Sequence, residues 1–290
     1  MTNAAMTLGG EGRRLDSFGR AAVSLFAVPP VVFLIFAFVV PICVVLGAAL
    51  FDGGGVSVSR YAAFFAQDGN RTMVLNTFVY GVVTALVCAA LGFPLGYAIA
   101  RAGRRMQVTL IVLTFLPLCT SIIVKAFAIT LILKSNGPVN ALLLMLGVVD
   151  EPVRLIFTRT ALFIGSMNAF LPFAVLPVFA VLAERGRDLE EAAASLGCSP
   201  AFTLFHVVIP TAFPGIVAGF SIVAAQAISA YVVPTLLIGD RFRVLARGAY
   251  DAYVLNDRAG AAVAATILLA LSLGVVACAN RLSRRAEQPV

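Results

Sequence analysis

Side chains able to act as nucleophiles, acids, bases or metal ligands are sparse in this sequence and do not converge on a catalytic pattern. The 290 residues contain one histidine, His206, and five cysteines without metal-like spacing. No acidic residue lies well inside a long apolar stretch, and no Gly-x-x-x-x-Gly-Lys-Ser/Thr nucleotide-binding pattern occurs. We therefore predict that the chain is not an enzyme, has no catalytic or metal-binding residues and binds no cofactor of its own.

The clearest local chemistry lies in a polar segment, residues 190–210, which has the pattern of a capped helical hairpin. Asp188 and Glu191 have the spacing of a capping box, and their carboxylates fall in a first turn, where the helix dipole favours negative charge. Gly197 is expected to end this helix in the left-handed conformation, and Ser199 is expected to cap a second helix. The segment contains no lysine or arginine, which argues against a DNA-reading helix.

The small alanine face of the predicted hairpin, residues 192–194, would fit a groove on another protein. The alternative is that the hairpin only connects two neighbouring apolar segments, because capped helices are common in such positions. The local chemistry of the hairpin leaves both interpretations open.

The composition places the chain in a membrane. Hydrophobic residues make up 61% and charged residues 12% of the sequence, and the mean hydropathy of +1.00 lies outside the range of ordinary globular proteins. The net charge of +7 comes largely from basic residues in short stretches between apolar runs, where such residues orient a membrane protein. We therefore expect an integral membrane protein in contact with the lipid bilayer, and no nucleic-acid partner.

Uncharged apolar runs predict an all-α, polytopic membrane protein with six transmembrane helices, because a bilayer core requires about 20 residues of helix per span. The run after Arg20 is too long for the core of a cleaved signal peptide, so we interpret it as a retained first span. A single transmembrane domain, 21–283, is expected between tails at 1–20 and 284–290, with a loop at 184–210. The spans are predicted at about 21–50, 73–100, 107–133, 160–183, 211–237 and 259–281.

Basic residues predict the orientation of these spans. With six spans both termini lie on one side of the membrane, and the same side carries the compact cluster Arg101, Arg104 and Arg105 in the shortest loop. Lysine and arginine are enriched in cytoplasmic loops. We therefore expect both termini and the hairpin to lie in the cytoplasm.

The hairpin also resembles a known loop of membrane transporters. Glu191-Ala192-Ala193 is followed after three residues by Gly197, and after nine more by Val207-Val208-Ile209-Pro210. This pattern is similar to the EAA loop of permease subunits in binding-protein-dependent ABC importers. Val207 and Ile209 are conservative replacements in the family's usual Ile-x-Leu-Pro ending. The length and spacing of the motif are specific, and they favour a docking element over a simple connection.

The resemblance extends through the predicted spans to the spermidine/putrescine branch of these permeases. The matching segments are Asn76-Thr77, 91–97, Leu116-Pro117, Thr120-Ser121, Asn136-Gly137, Leu171-Pro172, 231–234 and 237–239. One departure is Asp240, which stands where the family commonly has a second glycine.

The resemblance implies the fold of a type I ABC importer permease, in which the hairpin is a cytoplasmic coupling helix. It also implies a periplasmic binding protein that delivers the solute, a second permease subunit, homologous or identical, and an ATPase dimer that binds ATP and Mg²⁺. The implied location is the bacterial inner membrane, and the implied cargo is a polyamine, spermidine or putrescine. The residues implied in ATPase coupling are Glu190, Glu191, Ala192, Ala193, Gly197 and Pro210.

Four polar residues within the predicted spans are candidates for the translocation path: Lys125, Asn168, Gln226 and Ser229. Lys125 lies far enough along its span to reach the outer interface instead. The three uncharged residues also suit hydrogen bonds between helices, as polar groups in membrane bundles commonly form them. The sequence leaves these alternatives open.

Acidic and aromatic residues of the predicted outer loops are compatible with an ammonium cargo, through charge pairing and cation–π contact. They are Asp150, Glu151, Asp240, Asp251 and Asp257, beside Tyr250 and Tyr253. The same residues suit the docking of a binding protein, and neighbouring arginines reduce any attraction for cations. The resemblance also implies alternative cargoes, since related branches of the family carry opines, phosphonates and small organic or inorganic anions. A secondary transporter is a distant alternative, for which the spans lack a midplane carboxylate.

Overall fold

The computed structural model describes residues 8–51, 58–239 and 242–286, and the architecture of these ranges is all-α, as predicted. The predicted tail residues 1–7 and 287–290, and Asp240 with Arg241, lie outside the described residues. The helices are α1 (Leu8–Leu50), α2 (Ser59–Ala66), α3 (Asp68–Arg101), α4 (Arg104–Phe115), α5 (Ile122–Leu133), α6 (Pro138–Met145), α7 (Arg159–Glu184), α8 (Asp188–Ser195), α9 (Pro200–Thr203), α10 (Ile209–Ile228), α11 (Val232–Leu237), α12 (Leu245–Val254) and α13 (Arg258–Ala286).

The chain forms two compact units, residues 1–57 and 58–290. In the first unit, α1 is one continuous helix of 43 residues that contains Pro29, Pro30 and Pro41. A helix of this length measures about 65 Å, roughly twice the thickness of a bilayer core. It therefore begins well before residue 21, where the sequence predicted the end of a tail.

Six helical stretches of the described chain are long and apolar enough to cross a membrane, which confirms the predicted number. They are Val28–Leu50, Asp68–Arg101, Ile122–Met145, Arg159–Glu184, Pro200–Ile228 and Arg258–Ser283.

The third predicted span, 107–133, is not one continuous helix. Helix α4 ends at Phe115, a 3₁₀ turn covers Leu116–Cys119, and α5 begins at Ile122. Pro117 contributes to the break because its nitrogen carries no hydrogen to continue the ladder of α-helical bonds. The apolar stretch of sufficient length is instead Ile122–Met145, which joins α5 to α6. Helix α6 thus contributes to a membrane-length stretch.

The fifth span also differs from the prediction at both ends. Helix α9 passes through a π turn, Leu204–Val208, directly into α10, so the hairpin and the span share one helical segment. At the other end α10 stops at Ile228, and α11 begins at Val232. Pro210 directly follows the π turn, and its nitrogen has no hydrogen to donate to the preceding turn of this continuous segment. The span predicted at 211–237 is therefore a longer helix, Pro200–Ile228, followed by a short second piece.

Helices α3, α7 and α10 form the centre of the second unit, and glycines bring their backbones close together. A Cβ atom at Gly92 would lie 2.9 Å from the Cβ of Ala174, and one at Gly96 would lie 2.9 Å from a methyl group of Val178. Gly219 of α10 packs on the other side of Ala174. Small residues at such contacts allow the close van der Waals packing that holds membrane helices together.

Hydrogen bonds between distant residues add to this packing. The Tyr80 and Ser166 hydroxyls are 2.7 Å apart and join α3 to α7 in the buried core. The Thr77 hydroxyl accepts a hydrogen bond from the Leu245 amide at 2.8 Å, and the Asn76 side chain donates to the Arg243 carbonyl at 3.2 Å. The Asn76-Thr77 motif thus holds the segment that leads into α12.

We expect Gly219→Ala to destabilise the second unit, because the added Cβ would lie 2.8 Å from the Ala174 carbonyl oxygen, a backbone atom that cannot move alone. Overpacking of this kind costs about 1–3 kcal/mol. The matched control is Gly274→Ala in α13, where a Cβ meets no atom within 4 Å. Thermal unfolding in detergent should show a lower midpoint for Gly219→Ala alone. Equal midpoints for both variants would contradict the packing argument.

Candidate functional site

The first turn of α8 is acidic, as predicted, but the predicted capping box is wrong. The helix begins at Asp188, and the preceding residue, Arg187, has backbone angles of φ −110° and ψ −2° without a capping side chain. Asp188 therefore lies inside the helix and not at the cap position, which requires a more extended backbone. Asp188, Glu190 and Glu191 still lie in the first turn, where their charges interact favourably with the helix dipole.

The end of α8 has the geometry that the sequence predicted. Gly197 has φ +78°, and its amide bonds to the Ala194 carbonyl at 3.0 Å. The Cys198 amide bonds to the Ala193 carbonyl at 3.0 Å, which completes the two-bond Schellman arrangement. The Ser199 hydroxyl accepts from the Phe202 amide at 3.3 Å and caps α9. The turn between the two helices of the hairpin is thus fully hydrogen-bonded.

The outer surface of the hairpin is unusually apolar for a connection between spans. Leu196 is 84% exposed, and Leu189, Phe202 and Phe205 are also exposed. We call this set the hairpin apolar surface. The acidic first turn of α8 lies beside the hairpin apolar surface. Exposed apolar surface bordered by charge is typical of a protein-binding site.

The residues predicted to couple to an ATPase divide into two groups in the structure. Glu191, Ala192 and Gly197 are exposed on the hairpin, and Pro210 is exposed in the first turn of α10. Ala193 is 8% exposed and packs within the chain. The Glu190 carboxylate also turns inward.

Glu190 is bound by two residues near the end of α3. The Arg101 guanidinium donates to one carboxylate oxygen of Glu190 from Nε at 2.8 Å and approaches it with a second nitrogen at 2.5 Å. The Tyr97 hydroxyl donates to the other carboxylate oxygen at 3.1 Å. The side chains of Arg101 and Glu190 are 14% and 20% exposed. Both acceptor atoms of Glu190 are therefore engaged inside the chain.

Arg101 also reaches the helix that precedes the hairpin. Its third guanidinium nitrogen donates to the Leu182 carbonyl in the last turns of α7 at 3.2 Å. Its own carbonyl accepts a hydrogen bond from the Arg187 side chain. The Arg101 guanidinium lies 5.8 Å from the ring centre of Tyr97, within the range of a cation–π contact. One side chain thus joins α3, α7 and α8.

Sequence reasoning assigned Arg101 to membrane orientation alone and missed this contact. The two partners are 89 positions apart, so no local spacing links them. The sequence shows a basic residue, Arg101, at the end of one span and an acidic residue, Glu190, after the end of another. It does not show that these two charges form a pair.

Two of the four predicted path residues come together. Gln226 and Ser229 line a cavity of about 210 Å³ together with Tyr231, where α10 ends and α11 has not begun. Lys125 is half-buried on α5 and Asn168 is exposed on α7, and neither lines this cavity. Ser229 bonds to the Ala225 carbonyl of its own helix at 2.9 Å.

A second cavity, of about 470 Å³, adjoins the first at Ser229 and Tyr231. Its lining includes Tyr250 of α12, whose ring centre lies 4.9 Å from that of Tyr231. The sequence analysis placed Tyr250 in an outer loop and did not select Tyr231 as a path residue. The break in the helix at residues 229–231 is the feature that brings both rings to the cavity.

Two of the acidic residues predicted in outer loops have partners within the chain. Asp251 pairs with Arg247 at 3.7 Å, one turn away on α12. Asp257 accepts from the Gly260 amide at 2.9 Å at the start of α13. These carboxylates therefore have structural partners besides any ligand. Among the described residues no cluster of three or more histidine, cysteine, aspartate or glutamate side chains could hold a metal ion. His206 instead stacks on Phe202, with ring centres 4.1 Å apart.

Comparisons with known proteins agree with this architecture. Residues 92–288 match the family described as binding-protein-dependent transport system inner membrane component. The spermidine/putrescine transport system permease protein PotB of Escherichia coli (strain K12) is 30% identical over 215 residues, which cover 72% of this chain and 78% of that protein. The inner membrane ABC transporter permease protein YdcU of the same organism is 32% identical over 196 residues, covering 63% and 62%.

The fold is also found in solved structures. A chain in the crystal structure of a bacterial alginate ABC transporter, in complex with an alginate pentasaccharide-bound periplasmic protein, superposes with a TM-score of 0.76. The alignment covers 95% of this chain and 99% of that chain at 17% identity. This likeness supports the fold of an ABC importer permease.

We expect the end of α8 to depend on the left-handed conformation of Gly197. The left-handed conformation costs a residue with a Cβ about 1–2 kcal/mol. This cost is one of backbone conformation alone, because a Cβ at position 197 would meet no atom within 4 Å. Gly197→Val should therefore speed hydrogen exchange of the amides at 197 and 198 by about tenfold. Gly197→Asn, which tolerates this conformation better, is the matched control and should change exchange little. Exchange that is as slow in the valine variant as in the wild type would contradict this account.

Proposed function

The chain belongs to the family of binding-protein-dependent transport system inner membrane components and is an ABC importer permease subunit, and from this premise we propose that partner ATPases drive a small solute through it. The partner ATPase dimer binds ATP and Mg²⁺, since this sequence contains no nucleotide-binding pattern. A periplasmic binding protein delivers the solute. A second permease subunit, identical or homologous, completes the path.

The observation that carries this proposal is the hairpin apolar surface. Leu189, Leu196, Phe202 and Phe205 expose apolar area on a segment whose turn is fixed by hydrogen bonds. A rigid, exposed apolar element next to acidic residues fits a groove on a protein partner and costs little ordering entropy on binding. Glu191 and Ala192 lie exposed on the same hairpin and are available for that contact.

The connection from the hairpin into the membrane supports a mechanical role. Residues Pro200–Ile228 form one helical stretch of 29 residues, which is about 43 Å long. One end of this stretch belongs to the hairpin, and the other reaches the cavity at Ser229 and Tyr231. A displacement of the hairpin by an ATPase would therefore reach the cavity without an intervening loop. Such rigid-body movement is a common means of switching between two transporter states.

The broken helix supplies the chemistry of the proposed path. The chain leaves regular helical geometry between α10 and α11, and membrane proteins permit such a break only at buried or water-lined positions. Gln226 and Ser229 add an amide and a hydroxyl at this point, and Tyr231 and Tyr250 add aromatic faces. Aromatic faces suit a cationic amine.

For the cargo we favour a polyamine, spermidine or putrescine. The support is the similarity to PotB, named as a spermidine/putrescine permease, together with the tyrosines at the helix break. An anion is the second candidate, because Lys125 is half-buried on α5, within a membrane-length stretch. We place the hairpin and both termini on the cytoplasmic side of the inner membrane, following the basic cluster at residues 101–105.

Leu196→Asp tests the proposed docking. Loss of one buried leucine contact, with a charge in its place, should weaken binding of the ATPase by tenfold or more, since burial of leucine contributes about 1.5–3 kcal/mol. The matched control is Leu255→Asp, because Leu255 is 80% exposed at the end of α12. The measurement is the amount of ATPase that copurifies with the tagged permease after coexpression.

An equal yield of ATPase with both variants would remove the hairpin from the interface.

The same two positions test the orientation. In a cysteine-free background, a membrane-impermeant thiol reagent added outside should label a cysteine at 255 and leave a cysteine at 196 unlabelled. Labelling of both, or of 196 alone, would contradict the proposed topology.

The cargo is tested on the binding protein that works with this permease. Stabilisation by a ligand grows with its concentration relative to Kd, so a true ligand at about 100 times Kd adds roughly 2.7 kcal/mol. We expect spermidine or putrescine to raise the unfolding temperature in a screen that includes opines, phosphonates, sulfate and amino acids. A shift with an anion and none with a polyamine would overturn the cargo while leaving the permease assignment intact.

A further inference from the structure

The contact between Glu190 and Arg101 has a geometry that a simple surface ion pair lacks. Arg101 binds Glu190 through two nitrogens and the Leu182 carbonyl through the third. All three nitrogens of the guanidinium are thus assigned to partners on α8 and α7. Partial burial of both side chains reduces solvent screening, which weakens exposed pairs.

The position of this pair is the junction between the hairpin and the membrane helices. The connection from α7 to α8 is three residues, 185–187, and Gly186 within it has φ +67°. A short connection of this kind determines where α8 begins but leaves its direction to side-chain contacts. Glu190 lies in the first turn of α8, and Arg101 is the last residue of α3.

The helices on the membrane side of the pair are held together independently of it. Near this end Gly96 of α3 packs directly on Val178 of α7. Leu182, whose carbonyl binds Arg101, is buried in the same region with Val178, Val208 and Ala212. The pair therefore attaches α8 to a preformed, close-packed group of helix ends.

We propose that Arg101 is a positioning residue for energy coupling, which transmits displacement of α8 to α3 and α7 through its pair with Glu190. This inference rests on the proposed function, in which an ATPase moves the hairpin. It assigns Glu190 to transmission within the chain and leaves Glu191 and the hairpin apolar surface to contact the ATPase. The helical stretch from α9 into α10 provides one connection to the membrane core, and the Arg101–Glu190 pair provides a second.

Loss of the pair should therefore separate ATP hydrolysis from solute import, which are coupled in the intact importer. The ATPase still binds the hairpin apolar surface and hydrolyses ATP, while the movement reaches the core through α10 alone. Coupling free energies between sites correspond to about 5–150-fold effects. A residue needed only for folding would instead reduce the amount of assembled complex. The complex that does assemble would still import the same number of solute molecules per ATP hydrolysed.

The test uses the complete importer with its binding protein in proteoliposomes, and it measures solute imported per ATP hydrolysed. Arg101→Ala and Glu190→Gln should each lower this ratio by about tenfold, while ATP hydrolysis per complex stays within about twofold. Glu190→Gln keeps the shape of the side chain and an acceptor for Tyr97, so it decides the question if Arg101→Ala fails to assemble. The matched control is Arg105→Ala, an exposed arginine four positions further along, in the first turn of α4.

Charge reversal tests whether the pair itself, and not either side chain alone, is required. The double variant Arg101→Glu with Glu190→Arg should recover part of the ratio that each single reversal loses. Unchanged ratios in both Arg101→Ala and Glu190→Gln would overturn the inference, as would an equal loss in Arg105→Ala. A wild-type importer that hydrolyses ATP without uptake of any solute held by its binding protein would overturn the proposed function, and the inference with it.

Discussion

The close approach of three helix backbones is the constraint on which the remainder of the second unit depends. Inside a bilayer there is little hydrophobic drive for helices to associate, so contact area between small residues has to hold them together. Gly92, Gly96 and Gly219 provide that contact around Ala174 and Val178. The hydroxyls of Tyr80 and Ser166 then meet across α3 and α7 at hydrogen-bond distance. Because these helices are closely packed, their ends beside the hairpin form a fixed base for it.

The hairpin is attached to this base by covalent and noncovalent connections of different stiffness. On the carboxyl side α9 continues through a π turn into α10. The hydrogen bonds of a π turn join residues five positions apart instead of four, so the turn locally interrupts the regular α-helix. On the amino side three residues connect α7 to α8, and the Arg101–Glu190 pair determines how α8 lies. The arrangement leaves one surface of the hairpin apolar and exposed while its acidic first turn is partly used internally.

Discontinuity of helices is the second recurring feature, and it coincides with polar chemistry. The break after α10 exposes Ser229 and Tyr231 to adjoining cavities, and the break after α4 contains Pro117. Unpaired backbone groups are costly in lipid, so such breaks persist where neighbouring helices or water satisfy them. Close packing borders the break after α10, because Gly81 packs on Ile228 at the end of α10 and Gly165 packs on Leu237 of α11. The cavities at Ser229 and Tyr231 thus lie next to tightly packed helices.

The sequence by itself determined the class of the protein, the number of its membrane helices and the turn at Gly197. Each depends on local patterns: the length of apolar runs, and the left-handed conformation that glycine adopts most easily. Only the tertiary structure decided that Glu190 faces Arg101, that Ala193 is buried, and that Tyr231 and Tyr250 share a cavity. These contacts join residues far apart in the chain, or depend on which side of a helix faces its neighbours. Local spacing cannot specify either one, because a pattern of residue types along one helix does not identify the distant helix that packs against it.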